Sequence, residues 1–172
     1  MHMELYRGPA RSDMLHQANT YVLDDGLYLG FDKSGCLPDG HTIMGIPFVK
    51  DLPGWAFNRT EEQIERYCNL VGKADIVVAH SPPHNCLDTW PALDELTPPD
   101  QVYLHTMLAG KRSHYGSKAI LQYVLKTKPK IFICGHVHEG YGTFDNGHTK
   151  FYNVAMCDRR YKPVNPPVVI DI

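Results

Sequence analysis

Two short apolar runs, DIVVA at 75–79 and KIFIC at 130–134, constrain this chain more than any other feature. Each reads as a buried strand and each stops abruptly. The first runs into HSPPHNCLD, where Pro82 and Pro83 cannot extend a hydrogen-bonded ladder, and the second runs into GHVHEG. A helical pattern precedes each run. At about 60–72, Thr60 is placed as an N-cap, Glu61 and Glu62 suit the first turn, and Ile64, Tyr67, Cys68 and Val71 share one face. A second helix at about 116–127 carries Ile120 and Val124 inward, with Leu121 and Leu125 as further candidates. It is about the length needed for a crossover between adjacent parallel strands. This alternation predicts an α/β layered fold.

Further strands are expected at ANTYVLDD, at LYLGF after the turn at Gly26, and at HTIMGIPF. After KIFIC come YGTF, a turn at DNGH, TKFYNVAM, and a tail, YKPVNPPVVIDI, expected to end in a last strand. Residues 88–113 are Pro-rich and read as an irregular insertion or lid. With 172 residues the chain has room for one domain, 1–172, with a real core. A net charge of −2 gives no specific nucleic-acid signal. The five cysteines form no CxxC pair, so a reducing, cytoplasmic setting is expected. No window approaches a membrane span, and the N-terminus has no apolar stretch of signal-peptide length.

Ten histidines are many for this length, and imidazole suits metal binding and acid–base work alike. His136 and His138 flank one residue. Alternate side chains of a strand entering a loop can point the same way, so the pair can converge on one metal centre or two adjacent ones. Gly135 is expected to allow the tight turn. Alone, the pair is as well read as two loop-edge histidines. His80, directly after DIVVA, changes the balance: if DIVVA and KIFIC are neighbours, His80, His136 and His138 gather at one sheet edge, where open α/β sheets place ligands. His84 and His114 are candidate proton donors, read more simply as polar loop residues, and Glu139 is read as a solvated carboxylate. Trp55, Phe57 and Trp90 line a cleft or cover the core, and Asp39-Gly40-His41 reads as a turn. Cys86 lies near His84 without the pattern of a nucleophilic dyad.

AHSPP and CGHVHEGYG resemble the last two metal-ligand motifs of the calcineurin-like metallophosphoesterases. The similarity extends to PFVKDLPGWAFN, to HYGSKAILQYVLKTKPKIFICGHVHEG and to FYNVAMCDRRYKPVNPPVVIDI, covering roughly 40–172, and the ending resembles the metallophosphoesterase-domain-containing subgroup. The resemblance implies a layered metallophosphoesterase-like β-sandwich flanked by helices, lacking the first βαβ elements. It implies hydrolysis of a phosphomonoester or phosphodiester by metal-bound hydroxide, with two divalent ions such as Mn, Fe or Zn. His80 and His136 would bind one ion and His138 the other, with Asn153 near the floor of the site. The family's Asp-x-His, Gly-Asp and Gly-Asn-His motifs have no counterpart in a suitable context. Three neutral imidazoles bring no negative charge, so one ion is expected here, with a homo-oligomer or partner chain as a way to complete the centre. The alternative function is a truncated, non-catalytic metal-binding or regulatory module. A single-zinc hydratase or hydrolase on three histidines is a third possibility.

Overall fold

A computed structural model describes residues 40–90 and 113–172. The expected strands ANTYVLDD and LYLGF, and most of the 88–113 segment, lie outside the described residues.

The sheet is built from β1 (Ile43–Ile46), β2 (Ile76–Ala79), β5 (Ile131–Cys134), β6 (Gly142–Asp145) and β7 (Lys150–Asn153), in the order β1-β2-β5-β7-β6. The first four neighbours are parallel and β6 returns antiparallel to β7. DIVVA and KIFIC are thus adjacent, with Ile76 opposite Ile131 and Val78 opposite Ile133. Between β2 and β5 comes a separate antiparallel pair, β3 (Thr89–Trp90) with β4 (Ser113–His114). The segment expected to be irregular is therefore paired at both ends.

Helices α1 (Glu61–Val71) and α2 (Lys118–Thr127) pack on each other and on one sheet face. Thr60 and Gln63 form a reciprocal capping box at the start of α1. The Glu61 carboxylate caps α2 as well, accepting from Ser117 Oγ and from the backbone N–H groups of Lys118 and Ala119. One acid thus satisfies free donors at the positive end of the neighbouring helix. Alternate residues of the strands, Met44 and Ile46, Val77 and Ala79, Phe132 and Cys134, and Phe151, meet Ile64, Cys68, Ile120, Tyr123 and Val124 in the core. Leu125, expected to face inward, is 52% exposed. The stripe through Ile120 continues instead to Tyr123 and Val124, whose spacings of three and four keep them on one face.

The C-terminal tail forms no strand. Pro163, Pro166 and Pro167 have no N–H to donate, and the N–H groups of Val164 and Asn165 both turn back to the Met156 carbonyl. The result is a loop folded against the GHVH turn. No helix among the described residues is long and apolar enough to cross a membrane.

Candidate metal centre

The parallel ladder runs slightly past the strands, and this brings the histidines together. His80 N–H donates to the Ile46 carbonyl at 2.9 Å, and the His80 carbonyl accepts from Gly135 N–H at 3.1 Å. His136 follows at once, so the two imidazoles end adjacent strands at the same height. His80 Nε2 lies 3.2 Å from His136 Nδ1, with ring centroids 4.9 Å apart.

His136 does not continue the strand. Its φ is +64°, and Val137 N–H reaches back to the Gly135 carbonyl at 2.7 Å, closing a γ-turn around it. The tight turn expected at Gly135 is centred on the histidine, whose positive φ is a strained position for a residue with a Cβ. The same turn ends the alternation that was to point His136 and His138 alike. His138 begins a 3-10 turn (His138–Gly140), and its Nδ1–H donates to the Asp158 carbonyl at 2.8 Å. That bond fixes the tautomer and leaves Nε2 as the free nitrogen. The Tyr161 ring stands edge-on to the imidazole. Among the described residues, His138 does not join His80 and His136 in a set of ligand atoms all within 4.8 Å of one another.

Burial sets the charge of the pair. His136 is pulled down to about 4 by desolvation, then by its neighbours His80, His138 and Lys50. His80 keeps an exposed face, yet desolvation of the rest of the ring lowers it too. At neutral pH both rings are uncharged, the form in which imidazole binds a cation.

Asn153 is fully buried at the end of β7. Its Nδ2 donates to the Leu87 carbonyl at 3.1 Å and to the Val137 carbonyl at 2.8 Å, joining the loop after β2 to the GHVH turn. Gly140 packs into the same junction: a Cβ there would fall on the Leu87 carbonyl oxygen and the Asn153 amide. Asn153 is therefore a structural clamp beneath the histidines.

A second group was not anticipated. Asp88 is wholly buried. His114 Nδ1 lies 2.9 Å from Asp88 Oδ1, and His84 Nδ1 lies 3.8 Å from Oδ2, with the His84 and His114 rings edge to face. Asn85 N–H and Gly116 N–H both donate to Oδ2. The three side chains offer ligand atoms all within 4.8 Å of one another and have the composition to hold a metal. Their only sequence signal was the four-residue spacing of His84 and Asp88, because His114 arrives from 26 residues away.

Glu139 is not a solvated carboxylate. Burial raises it, and its buried Oε2 has no hydrogen-bond partner. It lines an open cavity of about 500 Å³ with His138, Tyr141, Arg159, Arg160 and Asn165. Trp55 and Phe57 are 59% and 51% exposed, so neither covers the core. Burial and the Asp88 charge push the Cys86 thiol up to about 12, which leaves it inert.

No family model matches the chain. It is 32% identical over 136 residues to metallophosphoesterase domain-containing protein 1 of Homo sapiens, a match covering 77% of this chain and 36% of that protein. A UPF0046 protein of Caenorhabditis elegans is 27% identical over 175 residues, covering 100% of this chain and 37% of the relative. The chain thus spans well under half the length of these relatives. One solved crystal structure superposes with a TM-score of 0.51 at 17% identity, covering 89% of this chain and 52% of the other, a likeness of fold.

Proposed function

Starting from a chain whose homologues support a metallophosphoesterase-like family, we propose that it is the metal-binding portion of a phosphoesterase. Its substrate would be a phosphomonoester or phosphodiester, and His80, His136 and His138 would be its metal ligands. The observation that carries the reading is the 3.2 Å approach of His80 Nε2 to His136 Nδ1 at the C-terminal edge of two adjacent parallel strands. The His80–His136 pair has the chemistry to hold one divalent cation, and His138 would serve a second. Two neutral imidazoles face each other, and the third has its Nδ1–H tied to a carbonyl so that Nε2 remains basic.

A bound divalent ion supplies Lewis-acid stabilisation of charge on phosphoryl oxygens and makes a water molecule acidic enough to attack phosphorus. The chain's own part is to hold the ligands. The γ-turn sets the His136 ring against His80, the Asp158 carbonyl orients His138, and Asn153 fixes the turn from below. The cavity beside His138 presents Arg159, Arg160 and Asn165 where the anionic part of a substrate would lie.

The test is hydrolysis of an aryl phosphodiester with added Mn, together with metal content. Hydrolysis is expected to collapse in His80→Ala and in His136→Ala, and metal content to fall. Activity indifferent to these substitutions would remove the site assignment. Metal binding without hydrolysis would favour the alternative of a non-catalytic metal-binding module.

A further inference from the structure

We propose that His84, Asp88 and His114 form a site for one divalent transition-metal ion, a structural clip that fastens strand β4 to the loop after β2. The site is made of residues different from the three histidines above.

The distances suit such an ion. Bonds of about 2.0–2.1 Å in a tetrahedral zinc site place neighbouring ligand atoms roughly 3.4 Å apart. His114 Nδ1 lies 2.9 Å from Asp88 Oδ1 and His84 Nδ1 lies 3.8 Å from the other oxygen, Oδ2, and one ligand atom from each residue lies within 4.8 Å of the other two.

Charge points the same way. A carboxylate with no exposed surface is costly unless compensated. Its two backbone donors, Asn85 N–H and Gly116 N–H, both land on Oδ2, which holds the group in place and turns Oδ1 toward His114. A divalent ion would be partly offset by this carboxylate, with the two imidazoles as the second and third ligands. His84 is half-buried and His114 exposed, so solvent reaches the fourth position.

The donor set names the class of metal. Two nitrogens and one oxygen suit zinc, cobalt or nickel, whereas magnesium and calcium call for oxygen ligands throughout. Cys86 is two residues from both His84 and Asp88, but its sulfur is not among the grouped ligand atoms. The mechanical consequence follows from connectivity. His114 pairs with Thr89 in the β3–β4 ladder and is 26 residues from Asp88, so the ion would tie together positions distant in sequence and hold a two-residue strand pair that is weak alone.

The experiment uses the full chain carrying His80→Ala, His136→Ala and His138→Ala together, which removes the ligands of the phosphoesterase proposal, so the two readings fail separately. Zinc is titrated into the chelator-treated variant by calorimetry, with melting temperature followed in parallel. One equivalent is expected to bind and to raise the melting temperature. Adding His84→Ala or His114→Ala removes a ligand outright and should weaken binding by more than the roughly 10–100-fold that loss of a ligand's hydrogen-bond partner costs. If the triple variant is poorly folded, the same loss of one equivalent is sought on putting His84→Ala and His114→Ala into the wild-type chain. Absence of zinc binding in a folded triple variant, or binding indifferent to His84 and His114, would overturn the proposal and leave Asp88 and His114 as a hydrogen-bonded pair.

Discussion

The carbonyl of His80 accepts the amide N–H of Gly135, so one hydrogen bond past the ends of β2 and β5 sets the height at which two imidazoles meet. The ladder supplies the alignment, and the γ-turn at His136 supplies the direction. That turn is bought with backbone strain, which can be measured.

His136 occupies φ +64°, where a Cβ costs about 1–2 kcal/mol and glycine almost nothing. Both His136→Ala and His136→Gly lose the ring. The glycine variant is expected to be the more stable of the two by about 1 kcal/mol. Urea denaturation of the metal-free pair measures the difference, and equal stabilities would argue against the strained turn.

The metal-free chain should lose stability in mild acid. An unfolded imidazole takes up its proton near 6.5, whereas folded His136 does so only near about 4. Between those values the unfolded chain binds more protons, so stability is fully present above 6.5 and falls as pH drops through the window. His80, also lowered, adds in the same direction. Denaturation midpoints across this range should slope less steeply in His136→Gln, and an unchanged slope would refute the assignment.

Asn153→Ala would leave the Leu87 and Val137 carbonyls without their buried donor. The expected cost is about 2–4 kcal/mol. Asn153→Asp, which has the same shape but no N–H to give, should cost at least as much. Thermal melts of the two variants settle whether donation or volume matters.

Gly140→Ala places a methyl group on the Leu87 carbonyl and the Asn153 amide. Both belong to packed segments that cannot yield easily, so a loss of about 1–3 kcal/mol is expected. Gly135→Ala, with open space around it, should be close to neutral. A reversal of this order would contradict the described packing.

Removing the shared cap tests the helical layer. Glu61→Ala strips acceptors from Ser117 Oγ and two backbone donors at the start of α2. A loss of about 1–2 kcal/mol is expected. Glu61→Gln should recover part of it, since the amide still accepts while the charge favoured by the helix dipole is gone.

Period and punctuation made the sheet and both helices legible: DIVVA and KIFIC are adjacent, and the cap at Thr60 is where Ser/Thr preferences put it. His80 and His136 met for the reason their positions after those strands implied. What stayed hidden depends on non-local contacts. Asp88 looked like a polar residue in a proline-rich loop, and only the arrival of His114 and Gly116 makes it a buried anion. The strained φ went to the histidine although a glycine stood beside it, because ladder bonds at Gly135 fix that residue in the sheet. The tail misled because VVIDI is strand-like in composition, whereas the prolines before it remove the donors a strand needs.

Asn153 touches both the loop bearing His84 and Asp88 and the turn bearing His136 and His138. Anyone wishing to graft either histidine set onto another scaffold would therefore have to carry both loops, the ends of β2, β5 and β7, and this one amide as a single cassette.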